Sequence, residues 1–151
     1  MKKHLVRMLT SFFYVGYAPF WPGFFGSAAG LAIVHWTDPS SALYLLVFFT
    51  LVGIALSGPS RRAFGVEDPP RFVLDEVCGM ILSIIFLPKN LFIYAAGFII
   101  FRILDVAKPW FIGRIQNQRG AWSIMGDDLA AGLVTNFIVR GLWLIRSAFI
   151  S

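Results

Sequence analysis

The chain has 151 residues, of which 58% are hydrophobic and 17% aromatic. Only 14% are charged, against about 25% in an average soluble domain, so a water-soluble globular protein is disfavoured from the outset. The formal charge of +5 does not point to nucleic acid, because the thirteen Lys and Arg are interleaved with apolar stretches rather than gathered into one basic face.

No Ser/Gly-rich linker, low-complexity tract or internal repeat divides the sequence, and one domain over residues 1–151 is expected. The basic start Met1-Lys2-Lys3-His4 runs into aromatic residues and prolines, not into a short apolar region with a small-residue cleavage site, so no secretory signal peptide is expected. Five apolar segments follow. Phe24 to Trp36 is glycine-rich, short enough to be re-entrant or tilted, and preceded by the irregular Pro19-Phe20-Trp21-Pro22-Gly23. Ala42 to Leu56 carries no charge, and the remaining segments run from Phe72 to Leu87, Leu91 to Leu104 and Leu129 to Ile150. Several fall short of the ~20 residues that a helix needs to cross hydrocarbon. The fold class expected is all-α, a polytopic transmembrane helical bundle of about four to five spans, the first segment being the candidate re-entrant one.

Short loops rich in Lys and Arg stay in the cytoplasm. With the N-terminus inside, the cytoplasmic loops hold Lys2, Lys3, Arg7, Arg61, Arg62, Arg71, Lys108, Arg114 and Arg119. The opposite side holds Lys89 and Arg146, while Arg102 and Arg140 fall within spans. An odd number of crossings puts the C-terminus outside, and a re-entrant first segment would change that parity.

The acidic residues divide by position. Asp38, Glu67 and Asp68 fall in loops and read as solvated turn residues. Asp75 and Glu76 lie near the cytoplasmic start of the third span, Asp105 near the cytoplasmic end of the fourth, and Asp127 and Asp128 just before the fifth, so all five converge on one membrane face. Carboxylates at a helix centre in the membrane cost roughly 2.5 to 3.5 kcal/mol each on insertion scales, and such groups are usually paired or coordinated. Arg102 and Lys108 flank Asp105 at spacings of three, which puts them on adjacent positions of one helix face, and Pro109 is expected to end that helix. The remaining acidic excess is the condition under which a hard divalent cation binds through oxygen. Asp75, Glu76, Asp105, Asp127 and Asp128 are the candidate metal ligands, with magnesium the ion expected. Glu76, Asp105, Asp127 and Asp128 are the candidate catalytic groups, and Arg102 and Lys108 the candidate phosphate contacts. The plainer alternative is an Asp105–Arg102 pair, with Asp127 capping the fifth helix and Asp75 and Glu76 solvated at the interface.

The run Pro19, Pro22, Gly23, Gly26, Ser27, Gly30 supports two readings. Its backbone N–H groups could face an anion at a helix N-terminus, which makes Ser27 a third candidate phosphate contact, or Gly26 and Gly30 form a small-xxx-small packing face. Cys78, the single cysteine, excludes a disulfide framework and a Cys-based zinc site and reads as a small core residue. His35 reads as an interfacial aromatic and His4 as part of the basic tail. Trp21, Trp36, Trp110, Trp122 and Trp143 read as interface anchors, Trp110 alone standing close to Lys108.

Three ordered runs, Leu74-Asp75-Glu76-Val77-Cys78-Gly79, Phe101-Arg102-Ile103-Leu104-Asp105-Val106-Ala107-Lys108-Pro109 and Gly126-Asp127-Asp128-Leu129-Ala130-Ala131-Gly132, resemble the DExxG, FRxxDxxKP and DDxxAG motifs of the bacterial phosphatidylglycerophosphatase A family. The segment Pro22 to Ser27 resembles that family's N-terminal proline-glycine stretch, so the likeness covers nearly the whole chain. Two departures are visible: Phe24 stands where Thr is common, and Phe111 where a second Pro is common. The resemblance implies a magnesium-dependent phosphatase of glycerophospholipid biosynthesis, converting phosphatidylglycerophosphate to phosphatidylglycerol and inorganic phosphate. It also implies a multi-pass protein of the bacterial inner membrane with its active site facing the cytoplasm, reached laterally by membrane lipid.

Other phosphatase chemistries fit less well. A histidine-based membrane phosphatase needs two suitably placed histidines, whereas His4 and His35 are the pair present. A DxDx aspartyl-phosphate motif and the acidic pattern of alcohol phosphotransferases are absent. A small transporter or proton-coupled carrier is the main alternative, since intramembrane acids and Arg occur there too, but its acids are expected near mid-membrane at broken helices. A scaffold subunit packed through glycines is the third. Oligomeric state is not legible in the sequence.

Overall fold

The computed structural model describes residues 3–67, 69–109 and 122–150. Lys2, Asp68, Trp110, Phe111, Arg114 and Arg119 lie outside the described residues. Within them the fold is all-helical, with six α-helices and one turn of 3-10 helix, Val15–Tyr17. The helices are α1 (Lys3–Thr10), α2 (Pro22–Trp36), α3 (Pro39–Phe64), α4 (Leu74–Ile84), α5 (Leu91–Ala107) and α6 (Trp122–Ile150). Each of the five apolar segments lies on a helix, and α1 adds one that the basic N-terminus did not advertise.

At ~1.5 Å per residue α3 and α6 extend ~39 and ~44 Å, enough for the ~30 Å hydrocarbon layer. These two are the described helices that are long and apolar enough to cross a membrane. Asp38 caps the start of α3, its Oδ1 accepting from the N–H groups of Ser40 at 3.0 Å and Ser41 at 3.1 Å. The helix runs eight residues past the expected Leu56, through Pro59, before Gly65 ends it in the left-handed region (φ 78°). Near Pro59 the Ser57 and Ser60 hydroxyls bond the Ile54 and Ser57 carbonyls at 2.9 and 2.7 Å, the kind of local side-chain support that lets proline remain inside a membrane helix.

Helix α4 spans only ~16 Å at the same rise, yet it is the packing centre. Leu74, Val77, Cys78, Met80, Ile81 and Ile84 are buried around its whole circumference, as expected of a helix sheathed by others. Helices α2, α3, α5 and α6 all pack on it. Glycine allows the closest of these approaches. A Cβ on Gly30 of α2 would lie 2.6 Å from the Val77 carbonyl and 2.9 Å from Met80 Cβ, and one on Gly26 3.0 Å from Val73 Cβ. The run from Pro22 onward is thus a packing face, the second of the two readings open in the sequence.

Successive helices α2 to α6 alternate in direction. One end of the bundle collects the starts of α2, α4 and α6 with the finishes of α3 and α5. There α1 is tied down by Arg7 Nη2, which donates to the Ala63 carbonyl at 2.6 Å, and by the Val73 N–H, which donates to the Thr10 carbonyl at 3.0 Å. The opposite end is closed by neutral and basic caps. Asn90 Oδ1 accepts from the Ile93 N–H at 3.0 Å, Lys89 Nζ donates to the His35 and Thr37 carbonyls at 2.9 and 2.7 Å, and Asn136 Nδ2 donates to the Leu82 and Ile85 carbonyls at 3.0 and 3.1 Å.

Candidate active site

The first end of the bundle carries the acids. Asp75 and Glu76 come from the first turn of α4, Asp105 from the last turn of α5, and Asp127 and Asp128 from α6. All five line one cavity of about 190 Å³, with Lys108, Pro69, Pro70, Phe72 and Ile124 completing its wall. The glycines of the DExxG and DDxxAG runs explain the convergence. A Cβ on Gly79 would lie 2.6 Å from the Phe101 ring and 2.7 Å from the Asp128 carbonyl, and one on Gly132 would collide with the Gly79 carbonyl. Helices α4 and α6 therefore cross backbone against backbone, and their acidic turns meet.

Helix α6 is already formed at Trp122, ahead of the expected Leu129, so Asp127 and Asp128 lie inside it and neither caps it. Gly126 does not delay the helix because its neighbours Ile124 and Met125 are buried, Met125 placing its sulfur against Gly53 of α3. The acids are drawn into the protein as a result, with Asp127 and Asp128 each only 3% exposed.

Two of the five acids are neutralised. Arg102 Nη1 bonds Asp105 Oδ2 at 2.6 Å, and Lys108 Nζ bonds Asp127 Oδ2 at 2.6 Å. Lys108 follows α5 in a left-handed conformation (φ 40°), and its side chain reaches across to Asp127 of α6. Burial works against its charge, but the hydrogen bond and charge of Asp127, with Asp128 and Asp105 beyond, outweigh burial and raise its pKa above the ordinary lysine value. Asp75, Glu76 and Asp128 form a separate group, each with a carboxylate oxygen within 4.8 Å of the others. Glu76 Oε2, Asp127 Oδ1 and Asp128 Oδ2 are buried without a hydrogen-bond partner. Buried oxygens of that kind normally find a donor or a cation. An all-oxygen, acid-rich donor set with unsatisfied buried atoms fits a hard divalent cation.

Arg102 and Ser27 are not among the residues lining the cavity. Ser27 is fully buried, its hydroxyl donating to the Gly23 carbonyl at 2.9 Å and accepting from Arg102 Nη1 at 3.4 Å, so it steadies the guanidinium. Asp38 is a helix cap and Glu67 an exposed partner of Arg61 at 3.6 Å, both as expected of loop acids. His35 stacks edge-on to Trp36 and Tyr94, and Cys78 is a buried free thiol. Pro69, Pro70 and Phe72 also line the cavity and are not among the residues that the sequence singles out. The Pro-Pro pair just ahead of Asp75 was a signal for a rigid turn there.

A phosphatidylglycerophosphatase A family profile matches residues 8–143. The chain belongs to the phosphatidylglycerophosphatase A family. Phosphatidylglycerophosphatase A of Escherichia coli K12 is 38% identical over 136 residues, covering 85% of this chain and 78% of that protein. A Bacteroides thetaiotaomicron protein provisionally named phosphatidylinositol-3-phosphatase is 32% identical over 144 residues, covering 86% of this chain and 89% of that protein. No solved structure matches. Membership of the phosphatidylglycerophosphatase A family makes the chain a membrane-associated phosphatase of lipid metabolism.

Proposed function

We propose that the chain hydrolyses phosphatidylglycerophosphate to phosphatidylglycerol and inorganic phosphate, with magnesium, at the cytoplasmic face of the bacterial inner membrane. The observation that carries this reading is the clustering of Asp75, Glu76 and Asp128, with buried unpartnered oxygens, beside two cations already held in place by Asp105 and Asp127. Asp75, Glu76 and Asp128 would hold the metal. Bound there, magnesium would polarise the phosphoryl group and activate water. Lys108, on the cavity wall, meets phosphate oxygens as a point charge, and Arg102, bonded to Asp105 behind that wall, offsets at longer range the charge that builds up during transfer. Asp127 and Asp105 keep those two cations aimed. Asp128 or Glu76 orients the attacking water; attack by a carboxylate is the alternative route, and trapping a phosphoenzyme distinguishes the two.

Cations at the same end of the bundle, among them Lys3, Arg7, Arg61, Arg62, Arg71 and Lys108, support its cytoplasmic orientation. With α2, α4 and α5 completing the bundle, the reading is a multi-pass protein of about four to five spans. Acids gathered at one end favour an enzyme over a carrier, whose acids belong at mid-depth.

The test is inorganic phosphate release from phosphatidylglycerophosphate by the purified protein, with magnesium and with chelator. Release that requires magnesium is expected; none under either condition would overturn the reading. The Bacteroides relative favours a second substrate, phosphatidylinositol 3-phosphate, and faster release from that lipid would reassign the headgroup while keeping the chemistry.

A further inference from the structure

Beside the acidic cavity, on the outer surface of the bundle, runs a second groove of about 520 Å³, lined by Phe24, Phe98, Ile99, Arg102, Ile103, Val106 and Ala107. Everything on its wall except Arg102 is apolar. Ile99, Ile103 and Val106 recur at helical spacing on the exposed stripe of α5, each more than half exposed. Phe24 of α2 packs edge-on to Phe98 with ring centroids 5.0 Å apart, joining the two helices. Arg102 lies between this stripe and the buried face of α5 that carries Phe101 and Asp105, and its guanidinium bonds Asp105, which lines the acidic cavity.

We infer that this groove seats one acyl chain of the lipid whose phosphate enters the acidic cavity, with Arg102 as the boundary between tail and headgroup. The inference rests on the phosphatase reading and deepens it by naming where the tail lies. The groove is shallow and open along its length, which suits a chain laid along the surface of the bundle rather than enclosed by it, and its apolar wall carries one polar group, Arg102, to fix orientation. The Arg102–Asp105 pair selects the occupant: an amphiphile with an anionic head at one end matches an apolar groove that carries a guanidinium bonded to a carboxylate of the acidic cavity. In hydrocarbon the tail gains nothing from the hydrophobic effect by entering the groove, since surrounding lipid is equally apolar. The groove therefore acts by register, holding the headgroup at the depth and angle of the carboxylates, where a displacement of about 1 Å can cost a hundredfold in rate.

Filling the trough tests this. In Ile103→Trp, kcat/KM for dioleoyl phosphatidylglycerophosphate should fall about tenfold further than kcat/KM for the dibutyryl analogue, a smaller loss than a full misplacement. Leu51→Trp, an exposed change on α3 away from the groove, should leave both at wild-type values. Equal changes on the two substrates in Ile103→Trp, or no change on either, would overturn the groove. If wild type cleaves neither substrate, the phosphatase reading fails separately, and crosslinking decides the groove. Phosphatidic acid with a photoreactive diazirine in its acyl chain should then label residues 98–107, competed by unlabelled phosphatidic acid but not by phosphatidylcholine. Uniform labelling of all lipid-facing helices, or efficient Ile103→Cys disulfide dimers showing a second copy in the trough, would count against it.

Discussion

The two ends of the bundle use polar groups in opposite ways. At the end holding Lys89, Asn90 and Asn136, the cap hydrogen bonds go to backbone groups that the helices leave open: Lys89 and Asn136 each bond two carbonyls, and Asn90 takes the Ile93 N–H. At the other end five carboxylates meet Arg102 and Lys108, and three carboxylate oxygens stay buried without a partner. Satisfied polar groups hold a fold together, whereas unsatisfied ones have to be explained by something that binds. Stability is concentrated at the first end and chemistry at the second.

Substitutions should separate the two. The largest effect is expected from Asp128→Asn, which removes a charge from the group of three and should lower phosphate release at least ~100-fold, while thermal melting of the detergent-solubilised protein stays level or rises because an unpaired buried charge has gone. A protein that melts lower and keeps its activity would erase the contrast. Lys108→Met should come next. It leaves Asp127 without its partner, and with Lys108 partly exposed a loss of about 1–2 kcal/mol in stability is expected together with a fall of about tenfold in turnover.

At the other end, Asn136→Leu strips the donors from two carbonyls that finish α4 and should cost about 1–3 kcal/mol, with activity per folded molecule unchanged at low temperature. Loss of turnover in the folded variant would show that the ends are coupled through α4. The smallest effect belongs to Asp38→Ala, a slight drop in melting temperature with full activity. Hydrogen bonds from Ser41 and Ser40 hold the Asp38 carboxyl below its ordinary value. Its stabilising effect is therefore complete above the unfolded-state value and fades as pH falls through the folded one, so wild type and Asp38→Ala should converge in melting temperature under acid.

Much of this arrangement was legible from residue type and order. Apolar runs announced five helices because a helix buried among others or long enough to cross lipid carries few polar residues, and acids interrupting those runs stood out for the same reason. What the pattern does not encode is contact between segments distant in the chain. The pairing of Lys108 with Asp127 instead of Asp105 comes with a left-handed turn at residue 108. The helical conformation ahead of Asp127 goes with the packing of buried Met125 against Gly53 of α3, a contact between distant segments. The role of Asn136 was invisible because a single amide in an apolar run looks the same whether it faces lipid or a carbonyl.

The shortness of α4 has a consequence for how the protein tolerates its surroundings. Sheathed by its neighbours, the helix bearing Asp75 and Glu76 takes its depth from Gly26, Gly30, Gly79 and Gly132 and not from the lipid around it. A thicker or thinner bilayer should tilt the long helix α3, while α4 and α6, locked together at Gly79 and Gly132, move as one and the carboxylates keep their mutual spacing, so turnover in vesicles of differing acyl length should vary far less than the melting temperature does.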